Sequence, residues 1–246
     1  MIKITSKSNT ATLWLNHPPL NVLTIPMLEE MIHAIQELQS DKELRLLIVR
    51  GEGKCFSAGM DVADHLPQRV HLMFEKTHQM MHKLAHLNLP VISLIHGCAL
   101  GGGLELAAVS DFIYAVDGCK IGLPEIKLGV FPPFAVAYFS EWIGPRNAND
   151  LILTGRTILP EEAKAMGMVM EVFSEKDCEI RLEEAANQLI SFSKAAFAAT
   201  KKALRSESVW ERLKEVEQIY LNELMKSEDA TEGLKAFLEK RSPKWK

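Results

Sequence analysis

Residues 97–108, GCALGGGLELAA, constrain this chain more than any other segment. Three consecutive glycines, Gly101 to Gly103, run directly into a stretch of helical character. Glycine lets the backbone turn sharply and approach a ligand closely. A helix start leaves amides unpaired and directed at an anion. Leu104, Leu106, Ala107, Ala108 and Val109 make this helix apolar almost all round, which requires burial. Glu105 lies inside it. A carboxyl in a buried helix is costly unless it has a partner or a task. Amide donors beside a buried acid point to carbonyl chemistry with proton transfer.

The segments on either side read as mixed α and β. Residues 10–16 alternate like a strand and end at His17-Pro18-Pro19. Residues 26–38 carry Met27, Met31, Ile32, Ile35 and Leu38 at helical spacing, behind Thr24 as a cap. Residues 44–49 and 91–95 are continuous apolar runs, as strands covered on both faces require. Residues 69–87 read as a helix stopped before Pro90. Residues 111–115 and 119–121 read as short strands about a turn at Asp117-Gly118. From Glu161 the chain reads as almost entirely helical, including residues 180–192 and 208–224. No low-complexity linker divides it, so the expected organisation is an α/β core over residues 1–190 with a helical region over residues 191–246.

Composition narrows the class of partner. A net charge of −4 leaves no basic footprint for nucleic acid or an anionic membrane. Cys55, Cys98, Cys119 and Cys178 are scattered without a CxxC pair, which fits reduced thiols and a cytoplasmic protein. The opening residues, MIKITSKSNT, contain no apolar signal region, and no apolar run reaches the length of a membrane span.

A second glycine-bearing loop, CFSAGMD at residues 55–61, follows the 44–49 strand. Alone it reads as a tight turn with Asp61 as a helix cap. Beside the loop that follows the 91–95 strand it becomes half of a crevice, where one amide from each loop can clamp one carbonyl oxygen. Glu125, in GLPEIKLG, alone reads as a solvated helix start. It follows Glu105 by twenty residues, across a strand pair able to bring the chain back. Two carboxyls in one pocket can hold a water and divide acid and base roles. His78, His82 and His86 follow i, i+4 spacing, but without an HExxH pattern they read as a partly exposed helix face, and no metal ligand is assigned. Lys201 and Lys202 read as a solvated basic pair.

Taken in order, HPPLNVL (17–23), FSAGMD (56–61), GCALGGGLELA (97–107), GLPEIKLGV (122–130), LTGRTILPEEAKAMGMV (153–169) and GLKAFLEKR (233–241) resemble the enoyl-CoA hydratase/isomerase, or crotonase, superfamily over essentially the whole chain. The resemblance implies a spiral of ββα turns with a C-terminal helical trimerisation region, assembled as a homotrimer or a dimer of trimers. It implies an acyl-CoA thioester as substrate, with CoA carried by the substrate and no separate cofactor. The amides of Met60 and Gly102 match the oxyanion-hole positions, and Glu105 and Glu125 match the two acids of the hydratases. Ala58, Met60, Phe237 and Lys240 match positions that meet CoA.

Two departures stand out. Pro19 replaces a lysine that many relatives place near the CoA phosphates. Val130-Phe131-Pro132-Pro133-Phe134 replaces a glycine-bearing turn, adding stiffness and bulk. The segments DVADHLPQ, LGVFPP and YLNELMKSEDATEGLKAFLEKRSPKW resemble more narrowly the cyclohexa-1,5-diene-1-carbonyl-CoA hydratases. The expected activity is water addition to an unsaturated acyl-CoA, a cyclic dienoyl-CoA by the narrower resemblance. Double-bond isomerisation by one glutamate is the near alternative, and a non-catalytic or RNA-binding relative the distant one. Retention of both acids and the negative charge argue against the distant one.

Overall fold

The computed structural model describes residues 1–246. The first strands, β1 (Ile2–Lys7) and β2 (Thr10–Leu15), form an antiparallel hairpin. Then come α1 (Ile25–Ser40), β3 (Leu46–Gly51), α2 (Val70–Ala85) and β4 (Val91–Ile95). The Thr24 side chain caps α1 by accepting from the Met27 amide, as its position suggests. β2, β3 and β4 pair in parallel. β4 is buried at every residue, the consequence of helices on both faces of a parallel sheet.

From β4 the chain winds between two sheets. β5 (Cys98–Leu100) enters a small sheet, α3 (Gly102–Ala108) follows, and β6 (Phe112–Val116) returns to the large one. β7 (Lys120–Gly122) goes back to the small sheet, parallel to β5. After α4 (Pro133–Ile143) and α5 (Pro145–Thr154), β8 (Thr157–Ile158) closes the small sheet. α6 (Pro160–Ala165) then leads to β9 (Glu171–Phe173) at the edge of the large one. The strand orders are β1-β2-β3-β4-β6-β9 and β5-β7-β8, the ββα spiral expected from the motifs. The chain ends in α7 (Cys178–Ser191), α8 (Lys194–Leu204), α9 (Ser208–Asn222) and α10 (Glu228–Leu238).

Several expectations are corrected. β1 escapes sequence reading because it is an edge strand exposed on both faces, with no alternation to detect. The 111–121 segment is not a strand pair: β6 and β7 lie in different sheets. The span after Glu161 is interrupted by β9. Lys201 is not solvated, being 7% exposed, with Nζ bonded to the Leu89 carbonyl and 2.5 Å from Asp111 Oδ2; Lys202 is exposed.

Most apolar residues of the 208–224 segment pack within the chain. Val209, Leu213, Val216 and Tyr220 are buried, and Val209, Trp210 and Leu213 join the main core, while Ile219 remains 41% exposed. No helix is long and apolar enough to cross a membrane, and all four cysteines are free.

Candidate active site

Parallel pairing of β3 with β4 sends the two glycine loops out side by side. The first loop is fastened to β5: Ser57 N donates to Cys98 O, and Leu100 N donates to Ser57 O. Gly59, at φ +104°, passes so close to the second loop that a Cβ there would stand 2.8 Å from the Leu100 carbonyl oxygen. The loops present Met60 and Gly102 together. A Cβ on Gly102 would lie 3.4 Å from the Met60 amide nitrogen and 2.6 Å from Met60 Cγ. Neither amide donates to an acceptor of the chain. Two adjacent unpaired amides are a ready clamp for one oxygen.

Glu105 projects from α3 and is 4% exposed. Its Oε1 accepts from the Ala135 amide at 2.9 Å, at the start of α4. Burial lifts its pKa to about 7, against the pull of the Ala135 and Phe134 amides, and the Glu217 charge adds to the rise.

Glu125 lies in a 3₁₀ turn, Pro124–Leu128, and is 8% exposed rather than solvated. The route that brings it to Glu105 is the parallel β5–β7 pairing, with Leu100 opposite Gly122 and Gly101 N donating to Gly122 O. This sets Glu125 against Gly101, where a Cβ would stand 2.5 Å from Glu125 Oε1; Gly101 has φ +51°. Glycine is required there on both counts. Burial first, and the Glu105 charge second, raise Glu125 well above the ordinary carboxyl range, and its Oε2 has no partner.

Both glutamates line a small cavity of about 30 Å³, walled by Met60, Met73, Phe74, Phe131 and Phe134. A water needs roughly 10–15 Å³ of such space, so the cavity has room for one. It adjoins an open cleft of about 510 Å³ that shares Met60, His65 and Glu125 with it. Ala58, Gly102 and Phe237 line the cleft; Lys240 is exposed and does not.

Sequence reading missed several lining groups. Lys127 and Arg241 bring positive charge to the cleft, Arg241 while held by Glu232 at 2.5 and 2.8 Å. His65 is buried against the Tyr220 hydroxyl at 3.0 Å, and burial depresses its pKa to about 4. Glu217, Thr77 and His78 line the inner cavity. These come from α2 and α9, far apart in sequence, and no local pattern marks them. His82 and His86 stack at 3.8 Å beside Trp210, outside the cavity, on a half-buried helix face.

Residues 5–246 match the family model described as enoyl-CoA hydratase/isomerase. The chain is 35% identical over 234 residues to the cyclohexa-1,5-dienecarbonyl-CoA hydratase of Thauera aromatica, covering 94% of this chain and 90% of that protein. It is 34% identical over 245 residues to a probable enoyl-CoA hydratase of Bacillus subtilis (strain 168), covering 96% and 95%. The crystal structure of an enoyl-CoA hydratase from Mycobacterium avium subsp. paratuberculosis K-10 superposes with a TM-score of 0.88 at 25% identity, covering 100% of this chain and 98% of that one. By sequence over nearly its whole length, and by a matching two-sheet spiral, the chain belongs to the enoyl-CoA hydratase/isomerase (crotonase) family.

Proposed function

We propose that this protein is a hydro-lyase that adds water to an unsaturated acyl-CoA thioester. One observation carries the reading: two buried glutamates face one water-sized cavity, one held by a backbone amide and the other with an unpartnered oxygen. Glu105 has an amide donor and a pKa of about 7, so it reaches the carboxylate form near neutrality. Glu125 has an unpartnered oxygen, and burial together with the Glu105 charge raises it well above the ordinary carboxyl range, which favours its protonated form. Such a split assigns base and acid.

In this mechanism the thioester oxygen lies between the Met60 and Gly102 amides, which stabilise the enolate charge as it forms. Glu105 takes a proton from water while the water oxygen bonds to the unsaturated carbon. Electrons move through the conjugated system onto the thioester oxygen. Glu125 then gives its proton to carbon, at the far end of the conjugation if the substrate is a diene. The reaction balances with thioester and water alone, and proton exchange with solvent returns Glu105 to the carboxylate and Glu125 to the acid. The cleft holds the CoA, with Ala58 and Phe237 against it and Lys127 and Arg241 offering charge to its phosphates.

The acyl group enters by displacing the flexible walls Met60, Met73 and Met81. A cyclic dienoyl group is the narrower proposal. It draws on the Thauera aromatica relative and on the flat Phe131 and Phe134 walls, which suit a ring better than a mobile chain. The proposed assembly is a homotrimer or a dimer of trimers; light scattering that reports a monomer at micromolar concentration would reject it.

The deciding experiment assays E105Q and E125Q against a cyclic dienoyl-CoA and crotonyl-CoA. Both variants should lose hydration while still binding the thioester. Near-normal hydration by either would overturn the paired-acid mechanism, and faster turnover of crotonyl-CoA by the unaltered protein would remove the cyclic substrate.

A further inference from the structure

We propose that Thr77, His78 and Glu217 form a hydrogen-bonding subsite at the far end of the acyl cavity, which takes an acyl group bearing a neutral hydroxyl. The inference rests on the reading of the inner cavity as the acyl site. The cavity and the cleft share Met60, His65 and Glu125, whereas Thr77, His78 and Glu217 line the cavity alone. They belong to the part of the cavity that the cleft does not share, into which the end of an acyl group would reach.

Four buried side-chain polar atoms in the chain lack a hydrogen-bond partner, and two of them, Thr77 Oγ1 and Glu125 Oε2, belong to residues of this one cavity. Buried polar groups are almost always paired, because an unmade bond costs the full desolvation of the group. The Glu125 atom has a task in the proton transfer. The Thr77 hydroxyl has none, and an all-hydrocarbon acyl end would leave it unpaired.

Glu217 adds acceptor capacity beside it. Its Oε2 lies 3.6 Å from His78 Nδ1, too far for a hydrogen bond. His78 is 5.6 Å from Trp210, ring centre to ring centre. The His78 and Glu217 side chains are 20% and 16% exposed, so this end is polar and incompletely sealed. A hydroxyl both accepts and donates: it can accept from Thr77 and donate to Glu217. An anionic substituent would meet a third carboxyl group in addition to Glu105 and Glu125, and is disfavoured.

The test measures binding of two unreactive ligands matched in length, 5-hydroxypentanoyl-CoA and hexanoyl-CoA, to the full-length protein by calorimetry. The hydroxylated ligand should bind about tenfold tighter or more. T77V and E217Q should each cut that ratio at least about threefold, while T77S, which keeps the hydroxyl, should preserve it. Equal or tighter binding of hexanoyl-CoA, or a preference that survives both T77V and E217Q, would overturn the subsite. Hydration of a cyclic dienoyl-CoA and of crotonyl-CoA measured alongside reports on the hydratase reading separately: the absence of both with the preference intact sinks the hydratase reading alone, and either activity without the preference sinks the subsite alone.

Discussion

Replacing Glu105 by glutamine should make the protein more stable at neutral and alkaline pH while removing its activity. The folded state holds the Glu105 proton to about pH 7, against an ordinary value of 4.5, because burial penalises the charge. For an acid raised in this way, stability is full below the unfolded-state value. It falls as pH rises from about 4.5 to about 7 and levels off above that. At 1.36 kcal/mol for each tenfold change, the loss is on the order of 3 kcal/mol.

Glutamine cannot ionise, yet its side-chain oxygen still accepts from the Ala135 amide, which Glu105 Oε1 takes at 2.9 Å. E105Q should therefore escape the loss. It also frees Glu125 from the Glu105 charge, one of the causes of its raised pKa. Urea unfolding of both proteins at about pH 5 and about pH 8.5 checks this: the gap between them should widen with pH in favour of the variant. Hydration should fall on the order of 10²–10⁴-fold, the usual worth of general acid–base catalysis. A stability gap that does not change with pH would refute the claim that Glu105 is ionised against its burial.

Gly102→Val places a side chain 2.6 Å from Met60 Cγ and against the Met60 amide, so turnover should drop by about 2.7–4 kcal/mol of transition-state stabilisation per lost donor, read from kcat. Lys201→Met leaves Asp111 without its cation, and chemical denaturation should show a loss on the order of 3 kcal/mol. Phe237 is 55% exposed yet lines the cleft, so Phe237→Ala should raise KM for an acyl-CoA and leave kcat and stability nearly unchanged. An unchanged KM would remove Phe237 from the CoA site.

What the sequence determined by itself was local and periodic. Helical spacing and a threonine cap defined α1 to within two residues at either end, and an unbroken apolar run defined β4 without error. The glycine triplet before an apolar helix announced a buried acid, because no exposed helix is apolar all round. The ordered motifs announced the family, and with it the two-sheet spiral. The sequence did not determine what depends on distant segments meeting. β1 has no buried face to impose a pattern, and β7 takes its place from pairing with β5 rather than with its chain neighbour β6. Lys201 looked solvated until Asp111, ninety residues earlier, was brought beside it. Glu125 read alone as a surface acid; only the register of Leu100 on Gly122 carries it into the core against Gly101. Thr77 and Glu217 carry no local signature, since burial and the absence of a partner are properties of a packed interior and not of a sequence window.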